Sequence, residues 1–91
     1  MRYAIVSDIH ANFPAWEAVL ADFRECNIEE VVCLGDVVGY GPKPVEVLEA
    51  VRAVTGNFVM GNHDAAAVGM MDYSIFNDHA REAIEWTMGQ L

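Results

Sequence analysis

The sequence predicts an α/β fold with the order β-α-β-α-β-α, and three observations carry the prediction. Short apolar runs, β-branched in the middle one, alternate with longer segments whose apolar residues recur at helical spacing. Each run is followed at once by a polar cluster. Strands joined by helical crossovers are parallel and the crossovers right-handed, so all three strands end along one edge of the sheet.

Arg2 to Ser7 contains Tyr-Ala-Ile-Val and reads as the first strand. Asn12 suits a helix N-cap and Pro14 the first turn, after which Trp16, Val19, Leu20 and Phe23 fall at i, i+3, i+4 and i+7. This first helix ends near Asn27. Val31 to Leu34 is apolar and β-branched, as suits a strand buried on both faces of a parallel sheet. Gly39-Tyr40-Gly41-Pro42 then makes a loop. A second helix runs from Pro44 to about Val54, with Val47, Leu48 and Val51 on one face and Gly56 as its stop. Phe58-Val59-Met60 is the third strand. An Ala-rich segment leads to Met70-Met71, and Ser74 to Asp78 opens a last helix with Ala80, Ala83, Ile84, Thr87, Met88 and Leu91 inside.

Composition narrows the function classes. With 91 residues the chain is one domain, and its net charge of -9 with five Lys and Arg argues against binding a nucleic-acid backbone, since that affinity rests on clustered cations. Nucleic acid remains only as a cleavable phosphodiester. The apolar run after Arg2 is too short for a signal-peptide core or a membrane span, so the expected setting is cytoplasmic and no membrane partner is expected. Cys26 and Cys33 match neither a disulfide framework nor zinc-ligand spacing and read as reduced packing residues. The apolar fraction of 54% is high for so small a domain, which points to apolar surface left open or covered by another copy in a homo-oligomer.

The topology brings Asp8, His10, Asp36, Asn62, His63 and Asp64 to the same edge. In open α/β sheets that edge is where ligands bind. Any one of these residues could be a cap or turn residue, since Asp and Asn favour both. Three such clusters on one edge form a site. Two carboxylates about 4 Å apart repel by roughly 4 kcal/mol at an effective dielectric near 20, so Asp8 and Asp36 need a shared proton or a cation. With imidazole and amide donors beside them a cation is the simpler answer, and the donor set suits manganese, iron or zinc. Other candidates read as structure: His79 and the acidic positions Glu17, Glu46, Glu49, Glu82 and Glu85 as helix surface, and Trp16, Phe23, Met70 and Met71 as packing. Tyr40 suits either substrate contact or sheet cover.

Asp8-x-His10, Gly35-Asp36-x-x-Gly39 and Gly61-Asn62-His63-Asp64, in this order and each after a strand, resemble the calcineurin-like metallophosphoesterases. The resemblance spans essentially the whole chain, and Val38-Gly39-Tyr40-Gly41-Pro42 is similar to a branch of small prokaryotic phosphodiesterases or phosphatases. It implies half of a four-layer α/β/β/α sandwich, with residues 1–91 as the N-terminal part of a longer domain. It further implies two divalent ions (manganese, iron, zinc or nickel), with Asp8 and His10 on one, Asp36 bridging and Asn62 on the other. His63 would lie near the scissile phosphate and Asp64 would orient it. The implied activity is hydrolysis of a phosphate-ester small molecule by water activated between the metals. Family members carry further ligands in a second half, a lone His and a Gly-His-x-His motif, which this sequence does not contain. The alternative is a catalytically incomplete piece that binds metal weakly or only assembles with other copies.

Overall fold

The computed structural model describes residues 1–91. Two parallel strands, β1 (Tyr3–Val6) and β2 (Glu30–Cys33), pair in the register Tyr3↔Glu30 to Val6↔Cys33. Helix α1 (Phe13–Glu25) connects them, and α2 (Pro44–Val54), α3 (Asn62–Ala67) and α4 (Asp78–Gln90) follow. The Asn12 side chain caps α1 by accepting from the Ala15 amide at 3.2 Å, and Asn77 caps α4 through Ala80 at 2.9 Å.

The alternation along the strands decides what is buried. Ala4, Val31 and Cys33 point into a core that also holds Trp16, Val37, Val38, Val47, Val51 and Ile84. Phe23 meets Trp16 edge-on at 6.1 Å. Tyr3, Ile5 and Leu34 point the other way and are exposed, Ile5 by 69%. The expectation that β2 is buried on both faces is therefore corrected: helices cover one face only, and the open face accounts for much of the high apolar fraction.

The third strand is also corrected. Phe58 lies parallel beside Cys33 as a single bridge, with Cys33 N–H donating to Asn57 and Val59 N–H to Cys33. The chain holds the predicted position next to β2 but leaves it after one rung. Its path is drawn against the Gly35-Asp36 turn, so closely that a Cβ on Gly35 would overlap the Gly61 backbone. Val59 and Met60 are left exposed beside this turn.

Two helix readings change as well. Thr55, not Gly56, ends α2: it turns to extended geometry, its hydroxyl donates to the Val31 carbonyl at 2.5 Å, and it accepts from the Asn57 amide. The Ala-rich segment is the helix α3, whose six residues are too few to show a period. In α4 Ala80, Ile84 and Thr87 are buried as expected, whereas Met88 and Leu91 are exposed. Cys33 is fully buried in the core, Cys26 follows α1, and both are free thiols.

Candidate metal centre

The parallel pairing continues beyond the strands and builds the site. Asp8 N–H donates to Gly35 at 3.0 Å, His10 N–H to Asp36 at 2.9 Å and Ala11 N–H to Val37 at 2.8 Å. These bonds lock the loop after β1 to the loop after β2. Val37 and Val38 are buried in the core, so Asp36 is held on an anchored segment. One ligand atom each from Asp8, His10 and Asp36 lies within 4.8 Å of the others.

The backbone here is strained. Asp8, His10, Ala11, Asp36 and Tyr40 all have φ between 49° and 61°, the left-handed region. Non-glycine residues enter it at a cost of about 1–2 kcal/mol each, and such residues cluster where a site demands a particular side-chain direction.

His10 explains what that direction is for. Its Nδ1 lies 3.1 Å from the Val38 carbonyl, which can only accept, so Nδ1 carries the proton. Nε2, on the other side of the ring, faces an Asp8 carboxylate oxygen at 3.2 Å. A ring nitrogen and a carboxylate oxygen this close share either a proton or a cation. Ser7 donates its hydroxyl to the other Asp8 oxygen at 2.5 Å, and this bond, with a smaller contribution from His10, outweighs desolvation and holds the Asp8 carboxyl below its usual range. An ionised Asp8, a His10 ring aimed by a carbonyl, and Asp36 are the donor set of a hard or borderline divalent ion.

The third loop closes around Asp36. His63 N–H donates to Asp36 Oδ1 at 3.0 Å. Asn62, the first residue of α3, is exposed and lies between Gly61 and His63, both of which touch Asp36. His63 is 8% exposed, and its ring sits among His10, Tyr40 and Phe76, with centroids 4.9 Å from each. Burial, with a smaller contribution from His10, pushes the His63 pKa below its ordinary value. Gly39 makes room for the ring: at φ 93° it lacks the Cβ that would stand 2.6 Å from His63 Nδ1.

Asp64 has backbone partners that its place in the sequence does not announce. Its two oxygens accept from the backbone amides of Gly61 at 3.0 Å and Val38 at 3.1 Å, and His63 Nδ1 is buried without a partner. Asp64 staples the loop after β2 to the start of α3 and makes no bond to the imidazole. His79 is exposed and outside the donor cluster. Sequence reasoning missed Ser7, the Val38 carbonyl and Phe76. Ser7 is signalled only by adjacency to Asp8, the carbonyl by nothing, and Phe76 lies in a segment read as the opening of a helix.

A cleft of about 490 Å³ opens beside the cluster, walled by Asp8, His10, Asn12, Tyr40, Gly41 and Pro42. A metal at the cluster therefore has room beside it for a ligand.

The family model for calcineurin-like phosphoesterases matches residues 1–88. A metallophosphoesterase from Sphaerobacter thermophilus superposes with a TM-score of 0.80 and 47% identity over all of this chain and 37% of its own. Over 92% of this chain and 35% of its own length, the uncharacterized protein MJ0912 of Methanocaldococcus jannaschii is 43% identical. The symmetrical bis(5'-nucleosyl)-tetraphosphatase of Psychromonas ingrahamii is 39% identical over 70% of this chain and 24% of its own. The chain thus spans about a third of the length of such relatives, or less. Its α/β architecture is part of the metallophosphoesterase fold, and with the family model running through nearly all of its residues the chain belongs to the calcineurin-like phosphoesterases.

Proposed function

We propose that this chain supplies the metal-binding and phosphate-facing groups of a site that hydrolyses a phosphodiester or phosphomonoester. Asp8 and His10 hold one divalent ion, Asp36 is shared between two, and Asn62 serves the second. The observation that carries the reading is the convergence of His10 Nε2 and an Asp8 oxygen, 3.2 Å apart, with Asp36 alongside. When bound, divalent ions supply positive charge for the phosphate oxygens and acidify a water to serve as nucleophile.

The chain's own residues prepare for this. The Val38 carbonyl aims the His10 ring, and the Ser7 hydroxyl keeps Asp8 ionised. Asp36 takes the His63 amide on Oδ1, which orients its carboxylate. His63, with its pKa lowered, meets the leaving oxygen as a neutral N–H donor, easing the charge that develops there. Divalent metal use is consistent with the family, and the names of relatives such as the tetraphosphatase support phosphorus–oxygen bond cleavage as the chemistry.

A second reading, metal binding without turnover, is favoured by one observation: the carboxylate and imidazole donors brought together here are three. Calorimetric titration with Mn²⁺, followed by hydrolysis of p-nitrophenyl phosphate and bis(p-nitrophenyl) phosphate, separates the two. Mn²⁺-dependent release of p-nitrophenol, lost on Asp36→Asn, supports hydrolysis. Mn²⁺ binding with neither ester cleaved supports the second reading, and absence of Mn²⁺ binding sinks both.

A further inference from the structure

Helix α4 turns Ala80, Ile84 and Thr87 into the core and carries Glu82 and Glu85 on exposed positions. Trp86 departs from that pattern, with 47% of its surface exposed next to the acidic positions. It borders, with Ala83 and the loop residues Tyr40, Gly41 and Pro42, a cleft of about 210 Å³. The same three loop residues wall the cleft that holds Asp8 and His10. Tyr40, Gly41 and Pro42 thus line both clefts.

Tyr40 is the shared wall. It is 52% exposed, its backbone is held at φ 61°, and its ring stands edge-on to His10 at 5.2 Å. A strained residue that leaves half of a phenol in solvent, directly beside the metal cluster, is placed for a ligand more than for the core.

We propose that the cleft between Tyr40 and Trp86 is a subsite for the base of a nucleoside phosphate whose phosphate lies at Asp8, His10 and Asp36. This rests on the phosphoesterase reading of the same site. Charge selects what the cleft takes. Glu82 and Glu85 share its helix, Lys43 beside Pro42 is paired with Glu46 at 3.5 Å, and Arg81 is paired with Asp78 at 2.5 Å. A second phosphate finds no free cation on these elements, whereas a neutral planar ring gains from stacking on Trp or Tyr, worth about 1–3 kcal/mol per base. The anionic end of the ligand thus belongs at the metal cluster and the ring at the aromatic pair.

The test compares AMP with ribose 5-phosphate, the same phosphate with and without a base, each titrated into the Mn²⁺-loaded chain by calorimetry and by tryptophan emission. AMP should bind roughly 5- to 100-fold more tightly. It should also change the emission of the exposed Trp86, against the constant background of buried Trp16. Trp86→Ala should erase the preference and leave ribose 5-phosphate binding unchanged, and Trp86→Phe should restore most of it. Equal binding of the two ligands, or a preference that survives Trp86→Ala, overturns the subsite alone. Absence of any Mn²⁺-dependent binding of ribose 5-phosphate or inorganic phosphate removes the phosphoesterase reading and the subsite with it.

Discussion

Around Trp16, Val47, Val51 and Ile84 the backbone is helical and the side chains are almost wholly buried. Around Asp8, His10 and Asp36 the backbone passes through the left-handed region and acidic groups face one another. One region is arranged for stability and the other draws on it. Strain of about 1–2 kcal/mol at each of several residues persists only where neighbouring structure over-determines it. Here the neighbours are the amide bonds from Asp8, His10 and Ala11 to the loop after β2, with Val37 and Val38 packed in the core beneath.

The largest effects expected are those that separate the regions. Ile84→Ala should cost about 2–5 kcal/mol in urea unfolding, as truncation of a fully buried aliphatic does. The milder Ile84→Val should cost about 1 kcal/mol and leave Mn²⁺ affinity unchanged. Asp36→Asn should do the reverse. Mn²⁺ affinity should drop by roughly 100-fold or more if, as proposed, the lost group is a ligand rather than one of its supports. Unfolding in EDTA should show equal or higher stability, because one of two facing carboxylates loses its charge. A metal affinity that follows Ile84 instead of Asp36 breaks the comparison.

Gly39→Ala should cross the boundary. The new Cβ meets His63 Nδ1 at a residue already at φ 93°, so stability should fall by about 1–3 kcal/mol and the His63 ring resonances should shift together. Unchanged ring resonances would show that the imidazole is not held by this contact.

Asp64→Asn tests which region Asp64 serves. The carboxylate accepts two backbone amides, and an amide side chain of the same shape keeps one and turns N–H against N–H at the other. A loss of about 1–2 kcal/mol in unfolding is expected, with the His63 ring left in place and its pKa moved only downward, since a nearby negative charge that raises it is removed. If the His63 ring resonances show a changed ring position while stability does not fall, Asp64 orients the ring after all.

The first two strands, the three long helices and the edge on which the polar residues gather were legible in the sequence because each rests on local signals: period, caps and the placement of charges after apolar runs. Asn12 and Pro14 marked the start of α1 within a residue. What was not legible depended on groups that sequence does not show. The role of Asp64 followed from the amides of Gly61 and Val38, which are backbone atoms set by tertiary folding. The single bridge at Phe58 followed from how closely Gly61 approaches the Gly35-Asp36 turn. Phe58-Val59-Met60 has the composition of a strand, and composition does not say where the chain must leave the sheet. Thr55 displaced Gly56 as the stop of α2 because its hydroxyl found the Val31 carbonyl, a partner remote in sequence.

The smallest expected effect is a slope in pH, and it reads His63 as a member of both regions. Burial lowers its pKa from 6.5, so the folded chain binds this proton less readily than the unfolded chain does. The stability associated with the neutral ring is therefore fully present above pH 6.5 and is lost as pH falls through the lower folded-state pKa. In EDTA, unfolding free energy should decline as pH drops below 6.5, and His63→Gln should flatten that decline. An identical slope in the variant would place the titrating group elsewhere. A flatter one ties the imidazole that faces His10 and Tyr40 to the burial that holds the loops together, since the same enclosure both keeps the ring neutral and supports the strained backbone beside it.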